Sequence, residues 1–537
     1  MSDIDLSVEA ARPTMPLSKP GKLIEKKSTD EDANTTAQTY QDYQTKEAKI
    51  GNEDVTMLDC TNVMPTKNIE KSPKRLIQNQ GKKRKEKTSI KGQNFKKTKL
   101  GVKNDADCNA VTLSIPTATN ILYPDGVVKL TWVNGYTKTD DHITLEEIVQ
   151  KDSLKGAVIS AMLFDFTWLS AQFNHGQHPV VVICPAICKS SALTFVKTIA
   201  GFGSNVSKRV RGKLMTASRV VSPRGACMHS KLQLLFHSEH LRVVISTANM
   251  RLHDWGETGS TENIVFIQDF PLTTEQKSNE LPIFAQDLQR FCTFQNVPKD
   301  VVNKLVSYNY SKAKVGLVFS IAGEHAGNTM DMDNEVMKSS GYPMLARVVR
   351  QLGLRTDTVE IEYTTSSIGV LYETFIVRLY NAACGEAPTG RSINVDVANW
   401  SQVCQRFQVY YPPQSTVDKT RGASSNVRKL RIIPDLKKIR KIPFDMIRYC
   451  LSKREGCRMH NKIMKVIPRQ SGLAPWHYIG SANLSQAAWG RLQTDPTGRQ
   501  HNLILENWEM GVVIPGDAIK VPDPVKKPGI AYAVQSP

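Results

Sequence analysis

Apolar and polar positions change rhythm sharply along this chain of 537 residues. Residues 1–110 show no sustained period: Lys, Thr, Asn, Gln, Asp and Ser dominate and apolar residues are sparse. Such a segment cannot bury enough apolar surface to offset the entropy of ordering it, so it is read as a disordered N-terminal tail. Beyond it, apolar runs alternate with amphipathic stretches. "LEEIVQKDSLKGAVISAMLFDFTWLSAQF" swings from polar to apolar, "PVVVICPA" (179–186) reads as a buried strand and "ALTFVKTIAGF" (192–202) as a helix. "MHSKLQLLFH", "LRVVISTAN" and "ENIVFIQDF" read as further strands. The second half repeats the texture with "KVGLVFSIAG", a helix over "YPMLARVVRQLGL", then "TVEIEYTTSSIG", "RFQVYYPP", "MHNKIMKVI", "WHYIGSANLS" and "NWEMGVVIP". Strands interleaved with helices predict an α/β fold, with a parallel or mixed sheet covered by helices in each half. The expected domains are 111–312 and 313–537. A basic insertion at 421–443 is expected to form an exposed loop and a helix beside the cleft.

One arrangement occurs twice. "CMHSKLQLLF" (227–236) and "RMHNKIMKVI" (458–467) each place a histidine, any residue and a lysine in a strand-like run. Further on, each is followed by a small-residue turn ending in asparagine, "STAN" (246–249) and "GSAN" (480–483). Residues two apart on a strand share a face, so His229 pairs with Lys231 and His460 with Lys462. Asn249 and Asn483 can sit beside them at a strand's C-terminal end. If the halves pack about a pseudo-twofold axis, one cleft holds two imidazoles, two ammonium groups and two carboxamides. That set suits phosphoryl transfer. Lysines and carboxamides meet the charge on the phosphate oxygens, one histidine attacks phosphorus, and the other protonates the leaving oxygen and then activates water.

Charge sharpens this picture. The formal net charge is +19, and residues 67–99 carry thirteen Lys and Arg against Glu70 and Glu86. A polyanion, most commonly nucleic acid, is the expected partner. "KSPKR" (71–75) and "KKRK" (82–85) resemble a bipartite signal for a nuclear import receptor, so the nucleus is the expected location. The start has no apolar block, and the longest apolar runs fall short of the ~20 residues of a membrane helix, so no membrane association is expected. Ten cysteines lack paired metal-ligand spacing; reduced thiols, no metal and no cofactor are expected. Trp489 is expected in the core, and His237, His240 and His253 as ordinary packed or surface histidines.

The paired His-x-Lys words, each followed by a Gly/Ser-Ser/Thr turn ending in asparagine, resemble the phospholipase D superfamily. The aspartate usual five residues after each lysine is replaced by Phe236 and Ile467. With "GSANLSQAAWG", "FDFTWL", "YTTSSIGVL" and "WEMGV", the chain resembles the tyrosyl-DNA phosphodiesterase family over roughly 120–520, as a fungal-like member. The resemblance implies two pseudo-twofold-related α-β-α sandwich domains of phospholipase D type. It implies hydrolysis of a 3′-phosphotyrosyl bond between DNA and a topoisomerase I peptide, leaving a 3′-phosphate. The implied roles are His229 as nucleophile, His460 as general acid and base, and Lys231, Lys462, Asn249 and Asn483 as phosphate ligands. Glu262 and Glu509 are the implied supports of the histidines. Ser366, Ser367 and Ser485 would contact the DNA backbone, positioning it without reading sequence. Relatives often carry an aromatic residue four before the first histidine; here Gly225 stands there, so base stacking must come from elsewhere. A monomer is expected, because both half-sites lie in one chain. The competing readings are a lipid phosphodiesterase on the same scaffold and a non-catalytic DNA-binding scaffold.

Overall fold

The computed structural model describes residues 121–532 except 186–187, 189–190, 194, 196–212, 217–225, 274–280, 329–338, 387–399, 422–441 and 495–499. The tail and its basic clusters, Gly225, most of the helix expected over 192–202 and most of the basic insertion lie outside the described residues. The chain divides into two units, Met1–Ala110 and Val111–Pro537, and every described residue belongs to the second.

The first half supplies β1 (Val127–Thr131), β2 (His142–Ile143), β3 (Leu154–Ser160), β4 (Val180–Cys184), β5 (Lys213–Thr216), β6 (Cys227–Met228), β7 (Leu232–His237), β8 (His240–Ser246), β9 (Thr261–Glu262) and β10 (Ile264–Pro271). The second supplies β11 (Gly316–Ser320), β12 (Gly323–Asn328), β13 (Val359–Thr364), β14 (Phe407–Tyr411), β15 (Ile447–Tyr449), β16 (Arg458–Met459), β17 (Ile463–Pro468), β18 (Trp476–Gly480), β19 (Arg491–Thr494), β20 (Gln500–Leu505) and β21 (Asn507–Pro515).

Two large mixed sheets result. One runs β2-β1-β10-β8-β7-β3-β4-β5, the other β11-β21-β18-β17-β13-β14-β15. From β1 and from β11 onward the two orders correspond strand for strand. The directions correspond as well: β3-β4-β5 and β13-β14-β15 are parallel, and the other neighbours along these paths are antiparallel. The duplicated motif is therefore embedded in a duplicated topology. β12, β20 and β19 form a separate three-stranded sheet.

The first sheet is buried on both faces, which explains its nearly unbroken apolar strands. In β8, Leu241, Val243 and Ile245 enter the large core shared with the second sheet, and Val244 points into a smaller core on the other face. β10 alternates likewise, with Ile264 and Phe266 on one side and Val265 and Ile267 on the other. The helices Ile283–Phe294, Gly341–Gln351 and Glu373–Ala383 pack their apolar faces into the shared core.

One local expectation fails. His229 to Lys231 and His460 to Lys462 do not lie within continuous strands but in the breaks between β6 and β7 and between β16 and β17. The reason is an exchange between halves. β6 leaves its own sheet to pair in parallel with β21, and β16 leaves to pair in parallel with β9. Each histidine thus emerges where its chain crosses from one half to the other.

Candidate active site

The exchange sets the geometry of both histidines. The backbone N–H of His229 donates to Trp508 O at 3.0 Å, and that of His460 donates to Glu262 O at 3.0 Å. Trp508 and Glu262 therefore occupy equivalent positions. The residues that follow them, Glu509 and Asn263, turn their side chains onto the two imidazoles.

Glu509 lies against the His229 ring. Its Oε2 lies 2.8 Å from His229 Nδ1, and the Ser481 hydroxyl donates to the same oxygen. Oε1 accepts from Asn507 Nδ2 at 2.9 Å. Burial by itself would raise the Glu509 pKa, but His229, Lys231 and Ser481 together bring it below the ordinary carboxylate value. An ionised carboxylate only accepts, so Nδ1 of His229 carries the proton and Nε2 keeps its lone pair.

Glu262 corrects the sequence expectation. It does not support His460 through its side chain; its carboxylate instead pairs with Arg454, whose Nε donates to Oε2 at 2.7 Å. Arg454 also donates to Thr131 O at 3.0 Å, tying the segment before His460 to the first half. The imidazole partner is Asn263, whose Oδ1 lies 3.1 Å from His460 Nδ1. Asn263 is itself oriented: Nδ2 donates to Asp254 O at 2.7 Å, and Oδ1 accepts from Thr247 Oγ1 at 2.7 Å. The sequence held a signal for this. Asn263 directly precedes the apolar run of β10 as Glu509 directly precedes that of β21.

Lys231 and Lys462 are fully buried. Each donates to the carbonyl of its own histidine, at 2.6 and 2.7 Å, leaving further N–H donors for an anion. Burial, opposed in part by Glu509, pushes the Lys231 pKa down to about 8. Burial and then Lys231 push Lys462 well below the ordinary lysine value. Burial lowers His229, Glu509 opposing, with Lys231 and Lys462 adding to the depression. Burial and Lys462 push His460 well below the ordinary histidine value, with Asp254 opposing and Lys231 adding. Each lysine thus acts on the other set's histidine, so the two sets share one field. A pocket that destabilises its own cations is one prepared for an anion.

The carboxamides differ. Asn483 Oδ1 accepts from Thr365 Oγ1 at 3.1 Å and from Ser366 Oγ at 3.2 Å, which leaves its N–H donors available. Asn249 is buried and spends one N–H on Asp254 Oδ1 at 3.3 Å. Ser366 is thus placed beside Asn483, and Ser367 is exposed. Ser485 caps the helix Gln486–Trp489, accepting from Ala488 N at 3.2 Å, so its oxygen is engaged while no acceptor among the described residues takes its proton. Trp489 is buried, as expected, and donates to Tyr363 Oη at 2.9 Å.

Glycine makes the close approach possible behind Glu509. Gly480 faces Gly511 across β18 and β21. A Cβ on Gly511 would lie 2.2 Å from the Tyr478 ring, and one on Gly480 would lie 2.4 Å from Gly511 Cα. Neither position tolerates a side chain without moving the strand that carries Glu509.

Comparison with known proteins bears on the family and the fold. Over 420 residues the chain is 22% identical to tyrosyl-DNA phosphodiesterase 1 of Arabidopsis thaliana, an alignment covering 73% of this chain and 61% of that protein. The chain thus spans less than two thirds of that relative's length. The yeast tyrosyl-DNA phosphodiesterase structure superposes with a TM-score of 0.53 at 16% identity, covering 76% of this chain and 98% of the other. A histidine-to-alanine variant of the yeast protein superposes with a TM-score of 0.52 at the same identity and coverage. These likenesses concern the fold. The model of the tyrosyl-DNA phosphodiesterase family, however, matches residues 127–533, which include both histidine–lysine sets, both asparagines and the strands that cross between halves, and the chain belongs to that family.

Proposed function

We propose that this protein hydrolyses the phosphodiester joining a DNA 3′ end to tyrosine, as in a topoisomerase I peptide, through a phosphohistidine and leaves a 3′-phosphate. The observation that carries the reading is the crossed pairing of Glu509 with His229 and Asn263 with His460. Each partner holds Nδ1, and no described residue bonds to either Nε2. In the first step the Nε2 lone pair of His229 forms the N–P bond. The P–O bond breaks, its electron pair leaves on the tyrosyl oxygen, and that oxygen takes the Nε2 proton of His460. In the second, water forms the new P–O bond, gives its proton to His460, and the N–P pair returns to His229. Lys231, Lys462, Asn249 and Asn483 hold the phosphoryl oxygens throughout.

The lips of the cleft support an oriented substrate. The segments after β3 and β13 are equivalent: Phe164 bridges Met250, the residue after Asn249, and Ile368 bridges Leu484, the residue after Asn483. One lip carries half-buried Met162, Leu163, Phe164 and Phe166; the other carries Thr365, Ser366 and Ser367. Hydroxyls suit the DNA backbone and the apolar lip suits the peptide, with Ser485 on the DNA side. The half-domains are read as 111–312 and 313–537, in keeping with the repeated strand order. Action as a monomer in the nucleus, with import through the basic tail, completes the reading.

The test is conversion of a 3′-phosphotyrosyl oligonucleotide to a 3′-phosphate in EDTA. Wild type is expected to turn over, His229→Ala to be inactive, and His460→Ala to accumulate a covalent DNA adduct. Turnover by His229→Ala, or the absence of any adduct with His460→Ala, would overturn the roles.

A further inference from the structure

The two halves correspond closely enough that their differences can be located. After Asn249 the chain runs Met250, Arg251, Leu252, His253, Asp254, Trp255; after Asn483 it runs Leu484, Ser485, Gln486, Ala487, Ala488, Trp489. Both tryptophans are buried at the same spacing, which sets Asp254 opposite Ala488. On the strands, Asn263 stands opposite Glu509. The second half therefore carries its carboxylate on the strand and none on the loop, and the first half does the reverse. Each imidazole still meets one carboxylate from the opposite half.

The contacts of Asp254 agree with this exchange. It is only 2% exposed. Its Oδ1 lies 3.5 Å from His460 Nδ1 and accepts from Asn249 Nδ2 at 3.3 Å. Its Oδ2 lies 3.1 Å from Arg251 Nε and 3.3 Å from His253 Nε2. Its backbone carbonyl holds Asn263 Nδ2, which turns the Asn263 oxygen toward His460. Burial by itself would raise the Asp254 pKa, but Arg251, His460 and His253 outweigh it and keep the group ionised. Lys462, Lys231 and Arg458 all disfavour an imidazolium at position 460, and Asp254 favours one.

We infer that Asp254 is a positioning residue for His460: it supplies the negative charge that favours the His460 imidazolium against burial and the neighbouring cations, while Asn263 makes the hydrogen bond. A neutral carboxamide fixes the tautomer but contributes no net charge, so the charge must come from behind it. The inference rests on His460 acting as general acid, as proposed above. It adds that proton donation to a poor leaving group depends on Asp254, and that the same residue couples this proton to Asn249.

The experiment compares two 3′ esters of one oligonucleotide, the tyrosyl ester and the 4-nitrophenyl ester, whose leaving group needs no proton. With Asp254→Asn, kcat on the tyrosyl ester is expected to fall roughly 10- to 100-fold with KM little changed, in line with loss of such a supporting contact. On the 4-nitrophenyl ester it should fall less than about 3-fold. The basic limb of kcat/KM for the tyrosyl ester should move to lower pH by about one unit, because removing a nearby negative charge lowers the His460 pKa. Equal losses on both esters with an unmoved limb would show a structural role and overturn the inference. Arg251→Gln, which unmasks Asp254, is the second variant should Asp254→Asn fail to fold. It is expected to move the basic limb to higher pH, and an unmoved limb there would also overturn the inference. Wild-type inactivity on the tyrosyl ester would instead sink the proposed reaction, so the two failures are distinguishable.

Discussion

Glu509 Oε2 lies 2.8 Å from Nδ1 of His229, a contact between residues 280 positions apart and contributed by opposite halves of the fold. It exists because β6 abandons its own sheet and pairs with β21. In the proposed reaction this contact leaves Nε2 as the attacking atom, and the carboxylate favours the positive charge that develops on the ring as the N–P bond forms.

Replacing Glu509 by Gln keeps the shape and removes the charge. Adduct formation in single-turnover mixing is expected to slow by at least roughly 10- to 100-fold, the range for losing a carboxylate that orients a metal-bound imidazole. Substrate affinity should change little. An unchanged rate would show that Glu509 is only a packing residue.

Glu262 is expected to behave in the opposite way. Its carboxylate neutralises Arg454, so Glu262→Gln leaves a mostly buried guanidinium unpaired and should cost about 3–5 kcal/mol in urea unfolding. Adduct formation by the folded fraction should stay within a few-fold of wild type. A stable protein with abolished chemistry would restore the role first read from sequence.

Anion binding should draw protons into the cleft. Lys231 sits near pKa 8 in the free protein, with Lys462 also depressed. An anion held between them stabilises their charged forms and raises both pKa values. At pH 8 about half of Lys231 is neutral and becomes protonated on binding, so the sign is uptake. At pH 6 Lys231 is already charged and its share of the uptake disappears. Calorimetric titration with sulfate in two buffers of different ionisation enthalpy measures the proton count directly. Release of protons at pH 8 would contradict the assignment.

Gly511→Ala tests the packing behind the site. The new methyl would enter the Tyr478 ring, and relief requires β21 to shift. Destabilisation of roughly 1–3 kcal/mol is expected, as for overpacking elsewhere. Adduct formation should slow as well, because Glu509 moves with the strand. A variant matching wild type in both would show that the strand yields freely.

The amino-acid sequence by itself determined the α/β texture, the duplication and the six polar residues of the repeated motif. Apolar periodicity and the His-x-Lys spacing are local properties, written in consecutive residues. Trp489 was legible for the same reason, as part of a small-residue and apolar run. What only the tertiary structure decided is which residues face the imidazoles. Glu262 and Asn263 are neighbours, and no local pattern of charge distinguishes the one that turns toward Arg454 from the one that reaches His460. The choice follows from strand register: β9 pairs with β16 so that Glu262 lies level with Met459, and its successor faces the ring. Asp254 was hidden in the same way, since its contact with His460 joins a loop of one half to a crossover of the other. Side chains brought together by exchanged strands have no shared sequence neighbourhood, and the physical cause of their meeting is the pairing of backbones that the exchange creates.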